Sequence, residues 1–144
     1  MGGLRIEICE GAAPAAAVAV RMRVFVEEQG VSEAEEIDGL DPECVHFVAW
    51  QDDSAVGCAR LRPLGRGRAK IERVAVLRER RTGGLGRQLM RAVEAEAARR
   101  ALPDLRLHAQ TAVLGFYAKL GWRAVGDEFD EAGIPHFAME RRLG

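Results

Sequence analysis

Between positions 78 and 90 the chain reads Arg-Glu-Arg-Arg-Thr-Gly-Gly-Leu-Gly-Arg-Gln-Leu-Met, entered from the strand-like run Ala69-Lys70-Ile71-Glu72-Arg73-Val74-Ala75-Val76. Gly83, Gly84 and Gly86 free the backbone to turn several N–H groups towards one point. The first turn of a following helix adds its unpaired donors and the positive end of its dipole. That is an anion site made of main chain. Arg78, Arg80, Arg81 and Arg87 set guanidinium groups around it, and a planar fork of donors suits a phosphate better than an ammonium does. The guest these residues could hold is a phosphate-bearing cofactor. A Walker loop would close on Gly-Lys-Ser/Thr, where this chain has Arg87-Gln88, and a dinucleotide fingerprint would want Gly or Ala in place of Leu89. The same glycines could also serve only to turn the chain from strand to helix.

The other side chains able to move a proton near neutrality are His46, His108 and His136. Any of them could act as a base or touch substrate, although single histidines on strands are more often structural. His108 and Gln110 stand at the carboxyl end of a strand, where open α/β sheets often bind ligands, and are candidate substrate-binding residues. Nothing in the histidine spacing makes a metal site, so no metal is expected. Cys9, Cys44 and Cys58 are odd in number and widely spaced, which signals neither a disulfide framework nor zinc and implies a reducing, cytoplasmic setting.

Bulk composition narrows the class. At 144 residues, 48% hydrophobic and 30% charged, the chain fits one globular domain spanning 1–144. With 21 Lys+Arg against 22 Asp+Glu, bulk charge gives no reason to expect nucleic-acid binding. No stretch approaches the ~20 apolar residues of a membrane span, and the alanine-rich run from Ala12 lacks the basic flank of a signal peptide.

The elements that must hold the glycine turn follow from periodicity. Leu4 to Cys9 alternates as a strand, and a helix runs from about Pro14 to Glu27 or Glu28 with Val18, Met22 and Phe25 or Val26 inward. Positions 30 to 43 are rich in Glu and Asp. They read as a solvated loop, or as an acidic lip that attracts a cationic amine through its field. Cys44 to Gln51 and Ala55 to Arg62 make a hairpin about Asp52-Asp53-Ser54, and Ala69 to Val76 is the next strand. A long helix from Gly84 to about Arg100 leads to a strand at Leu105 to Gln110, parallel to the one before the helix. Thr111 is a candidate N-cap for a helix with Val113, Phe116, Tyr117 and Leu120 on one stripe, stopped by Gly121. Strands at about Trp122 to Phe129 and His136 to Arg141 finish the chain. The expected fold is α+β, an α/β sandwich with a mixed sheet of about seven strands flanked by helices, in the order β-α-(loop)-β-β-β-α-β-α-β-β.

Three ordered motifs in that frame resemble the GNAT N-acetyltransferase superfamily. They are Ile71-Glu72-Arg73-Val74-Ala75-Val76, Arg81-Thr82-Gly83-Gly84-Leu85-Gly86 and Phe116-Tyr117-Ala118-Lys119-Leu120-Gly121-Trp122. Val24-Phe25-Val26-Glu27-Glu28-Gln29, Leu107-His108-Ala109-Gln110 and Glu131-Ala132-Gly133-Ile134-Pro135-His136 are similar to its ElaA-like branch. The resemblance covers nearly the whole chain. It implies acetyl-CoA as cosubstrate, with its diphosphate on Arg81, Thr82, Gly83, Gly84, Gly86 and Arg87 and its pantetheine arm along Val74 and Val76.

It further implies direct attack of an amine on the thioester, the acceptor being a small cationic amine or a lysine side chain. An alkyl amine with pKa near 10.4 costs about 4.6 kcal/mol to deprotonate at pH 7, so a base is needed. Glu72 matches the superfamily's glutamate, on the strand face assigned to Val74 and Val76. As an ordinary carboxylate it would need desolvation, a water relay or a less basic amine; a strand-end salt bridge is its other reading. Tyr117 matches the general acid that protonates the departing thiolate. A CoA-binding sensor without turnover is the alternative of another class. Strand edges could pair two copies into a homodimer, and the sequence does not rank them.

Overall fold

The structure, a computed structural model, describes residues 3–144. Seven strands form one sheet: β1 (Leu4–Glu10), β2 (Val45–Gln51), β3 (Ser54–Gly65), β4 (Arg68–Val76), β5 (Asp104–Gln110), β6 (Arg123–Glu131) and β7 (Ile134–Arg142). Their spatial order is β1-β2-β3-β4-β5-β7-β6. Every neighbouring pair is antiparallel except β4 and β5, which the intervening helix forces to run parallel. The helices are α1 (Ala15–Arg21), α2 (Glu33–Glu36), α3 (Leu85–Arg99) and α4 (Leu114–Lys119). The element order is the one the periodicity predicts.

β3 shows how the layers stack. A Cβ added at Gly57 would lie 3.1 Å from Leu85 Cδ2, so the odd-numbered face there meets α3. Arg60, of opposite parity, donates to Asp41, which Arg21 of α1 also holds. Hence α1 and α3 cover opposite faces. Phe47, Val48 and Ala49 of β2 and Leu61 of β3 are fully buried, as are Leu89, Met90 and Val93 of α3. A sheet packed on both faces needs the nearly continuous apolar run that β2 shows.

Two local features depart from the sequence reading. α1 continues as a π-helix over Met22–Glu28, where the amide of Gln29 donates to Val24 O. Widened turns of this kind are rare and cluster at functional sites. Thr111 opens a 3₁₀ turn, Thr111–Val113, ahead of α4 and does not cap that helix; its hydroxyl donates to Glu128 at 2.8 Å instead.

The acidic stretch is the larger correction. Glu33, Glu35 and Glu43 are exposed, as a solvated loop would have them, but Glu36, Asp38 and Asp41 are paired with arginines of the sheet and α1. Glu36, 3% exposed, accepts from Arg21 Nε at 2.5 Å and pairs with Arg73 Nε at 3.0 Å. Asp41 accepts from Arg21 and Arg60, while Asp38 accepts from Arg60 Nη2 at 2.7 Å and Arg73 Nη2 at 3.2 Å. Burial pushes the Asp38 and Asp41 carboxyls up in pKa, and the arginine hydrogen bonds more than reverse it. The segment is strapped to the sheet by ion pairs, which do in this loop what apolar anchors would otherwise do.

Candidate active site

β4 and β5 pair only from Arg68↔Asp104 to Ile71↔Leu107 and then part. The cause is a bulge. On β3, Cys58 faces Ala75 and Arg60 faces Glu72, so Arg73 and Val74 together oppose Ala59, and Arg73 takes φ +56°. The extra residue bends β4 away from its parallel neighbour. A cleft of about 1150 Å³ opens there, lined by the ends of both strands, the π-helix, the glycine turn and α4.

The bulge also reorders the side chains. Val76 lies opposite Gly57, on the α3 face, whereas Glu72 lies opposite Arg60, on the α1 face. The expectation that Glu72 shares a face with Val74 and Val76 is therefore corrected, because two-residue alternation does not survive a bulge. Main-chain direction can be read too. Leu77 N donates to Val56 O, so Ala75 is the next residue to turn its polar groups towards β3. Those of Val76 point into the gap, where Arg81 Nε donates to Val76 O at 2.9 Å.

After a 3₁₀ turn at Arg78–Arg80, Gly83 (φ +108°) and Gly84 (φ +82°) carry the chain into α3. A side chain would be strained at both, although a Cβ at either would meet nothing within 4 Å. Among the described residues, none of the amides from Thr82 through Arg87 donates to a protein atom; the first closed turn is Gln88 N to Gly84 O. They are the free donors of a helix start with a glycine nest before it.

The arginines around this turn are not equivalent. Arg81 grips Glu28 with both terminal nitrogens, at 2.6 and 2.8 Å, and Arg78 approaches the same carboxylate at 3.5 Å. Those hydrogen bonds hold the Glu28 carboxyl below its usual pKa. Arg87 is exposed and has no carboxylate partner among the described residues. The ring of free cations expected from the sequence thus thins, and Glu28 is a site neighbour that the sequence reading quoted without a role.

Tyr117 lies 8% exposed on α4, edge-on to Phe116 and Trp122. Its hydroxyl makes no hydrogen bond among the described residues, and burial pushes its pKa up to about 12. Glu72 fares differently. One oxygen accepts from Arg60 and Arg62, each at 3.0 Å, and Lys70 lies 3.4 Å from the other. Burial raises its pKa, but Arg62, Arg60 and Lys70 together bring it below normal. The raised pKa that a carboxylate base wants is not met; the carboxylate serves in the salt-bridge network.

β5, β7 and β6 bring a second group together. Gln110 pairs with His136, His136 with Phe129, and Ala138, two residues on from His136, with His108. By register these residues and Glu131 share one sheet face. His108 Nδ1 donates to Glu131 Oε1 at 2.8 Å, and Gln110 donates to Gln29 at 2.9 Å. The substrate-side pair named from sequence does line the cleft, while Glu131 as partner of His108 was missed. Only the β6–β7 register reveals that partnership.

Known proteins show the family to which a chain of this sequence and fold belongs. Residues 12–143 match the acetyltransferase (GNAT) domain family. The uncharacterised N-acetyltransferase YjcF of Bacillus subtilis is 42% identical over 121 residues, 83% of this chain and 86% of that protein. ElaA of Escherichia coli is 33% identical over 135 residues, 86% of this chain and 84% of that protein. The crystal structure of ElaA superposes with a TM-score of 0.87 over 97% of this chain and 100% of that one. That of an acyl-CoA N-acyltransferase from Pseudomonas aeruginosa, 32% identical, does so at 0.84 over 96% and 99%. The chain is thus an acyltransferase that belongs to the GNAT family, on its ElaA-like branch.

Proposed function

We propose that this acyltransferase takes acetyl from acetyl-CoA and passes it, by direct attack, to a primary amine of a small cationic molecule or a lysine side chain. The observation that carries the reading is the run of unpartnered amides from Thr82 to Arg87, opening on the same cleft as the unbonded hydroxyl of Tyr117. In this reading the amides of Thr82, Gly83, Gly84, Gly86 and Arg87 receive the diphosphate, with the Arg87 guanidinium beside it. Arg81 contributes from its place between Glu28 and Val76 O. The amide-bearing pantetheine arm runs along Val74 and Val76, where β4 has lost its parallel partner.

Tyr117 is the proposed general acid. A phenol whose pKa is about 12 keeps its proton at pH 7 and has it to give. The desolvation that raises the phenol raises a departing thiolate as well, so the two remain matched within the closed site. Cys9, Cys44 and Cys58 are all free, and we place the enzyme in the reducing cytoplasm on that ground.

The test is a panel of primary amines with acetyl-CoA, read by mass spectrometry for N-acetyl product and by release of CoA thiol. Product from at least one amine is expected. Tyr117→Phe should lower kcat about 100-fold with the KM for acetyl-CoA little changed. Saturable acetyl-CoA binding without thiol release across the panel would favour a sensor and overturn the enzymatic reading.

A further inference from the structure

The acceptor's ammonium must lose a proton before it can attack, and Glu72 is held below the pKa that would suit it to take one. The face shared by β5, β7 and β6 offers another acceptor of protons. Glu131 sits between two imidazoles: Oε1 is 2.8 Å from His108 Nδ1, and Oε2 is 3.8 Å from His136 Nε2. A carboxylate can only accept, so the Glu131 bond puts a hydrogen on His108 Nδ1 and leaves Nε2 as the lone-pair nitrogen. His136 is fixed similarly, its Nδ1 donating to Ile134 O at 2.7 Å. Phe129 packs edge-on to His108 at 4.9 Å and stacks on His136 at 6.1 Å, so the two rings are held by one apolar wedge. His108 is 31% exposed and lines the cleft, whereas His136 is largely buried.

We propose that His108 is the general base of the transfer, taking the acceptor's proton at Nε2, and that Glu131 is the residue that positions it. The proposal rests on the acetyl-transfer reading above. The ammonium gives one proton to His108, which passes it to water. The neutral amine then forms a C–N bond to the thioester carbonyl carbon as the C–S bond breaks. The Tyr117 proton goes to the sulfur, and the surplus proton on the new amide nitrogen restores the phenol through His108. Glu131 stabilises the imidazolium that forms and holds the Nδ1–H tautomer throughout.

Other ionisable groups approach this wall from each neighbouring element. His136 comes from β7, Lys70, Glu72 and Arg73 from β4, Glu28 from the π-helix, Glu35, Glu36 and Asp38 from the strapped loop, Arg81 from the glycine turn, Arg87 from the start of α3, and Tyr117 and Lys119 from α4. Lys70, Glu72, Glu28 and Asp38 are held in the ion pairs already described, and Glu35 accepts from the Ser32 hydroxyl. His108 is therefore the cleft-lining base whose Nε2 has no protein partner among the described residues.

The experiment combines imidazole ¹⁵N NMR of the whole protein with pH–rate profiles. In the wild type the NMR should show His108 as the Nδ1–H tautomer, and Glu131→Gln should weaken that preference. With the amine that turns over best, the wild-type kcat/KM should rise through a limb set by His108. His108→Gln should cost about 100-fold at pH 7 and erase the limb. Glu131→Gln should move the limb to lower pH and cost about tenfold, with CoA affinity by calorimetry unchanged in both variants. An Nε2–H tautomer, or a limb that survives His108→Gln, would overturn the assignment while the acetyl-transfer reading stands. Absence of turnover with every amine would instead sink that reading, and the tautomer would still decide whether His108 is poised as a base.

Discussion

Replacing Arg60 with Met tests whether ion pairs, and not apolar anchoring, hold the acidic segment on the sheet. Arg60 is 1% exposed at its side chain and donates to Asp38 at 2.7 and 3.0 Å, to Asp41 at 2.9 Å and to Glu72 at 3.0 Å. Breaking a buried pair by removing one partner costs about 3–5 kcal/mol, because charge stays behind uncompensated. Each orphan here keeps a second cation: Arg73 for Asp38, Arg21 for Asp41, and Arg62 with Lys70 for Glu72. The lower end of that range, about 3 kcal/mol, is expected, or roughly 10 °C in Tm for a domain of this size. The pH dependence supplies an independent sign. All three carboxyls have folded pKa values below their unfolded ones, so they stabilise above roughly pH 4 and lose that contribution as pH falls through the folded values. The variant should lose less on acidification than the wild type does, since it starts without the Arg60 contribution to all three shifts, which is the largest lowering one at Asp38. Urea melts followed by fluorescence of Trp50 and Trp122, at pH 7 and at about pH 3.5, measure both quantities. A variant within about 1 kcal/mol of wild type at pH 7, or with the same acid dependence, would refute the strapping argument.

Gly84→Val forces a β-branched residue to φ +82° in space that is otherwise open, so its effect comes from backbone strain of about 1–3 kcal/mol and from re-aimed amides. CoA should bind at least about tenfold more weakly by calorimetry; an unchanged Kd in a folded variant would count against the turn as the diphosphate site. Trp122→Phe removes the indole N–H that donates to buried Glu94 at 2.9 Å. A loss of about 1–3 kcal/mol in denaturant stability is expected, and one below about 0.5 kcal/mol would show that Arg91 and Arg141 already satisfy that carboxylate.

Much of the scaffold was legible because its signals are periodic and local. Alternation in Leu4 to Cys9 and Leu105 to Gln110, the Asp52-Asp53-Ser54 turn and the glycine entry to α3 each fix an element within a few residues of where it lies. The π-helix was not legible, since Met22 to Glu28 carries the same apolar spacing as an ordinary helix and the wider turn shows only in its hydrogen bonds. The acidic loop misled for a related reason. Six acids in a short stretch look solvated until the fold brings Arg21, Arg60 and Arg73 to three of them, Glu36, Asp38 and Asp41, across up to 37 residues of sequence.

At the site the limit is the bulge. A reader of sequence counts from Glu72 to Val76 in twos and puts both on one face, and a single extra residue at Arg73 reverses that outcome. The bulge that hides Glu72 from the count also parts β4 from β5, so the cleft and the misreading have one cause. It moves Glu72 to the face where Arg60, Arg62 and Lys70 pair with its carboxylate. The base proposed above stands on the far wall. There the register of β5, β7 and β6 sets His108 against Glu131 across 23 residues of sequence, a pairing that no local pattern encodes.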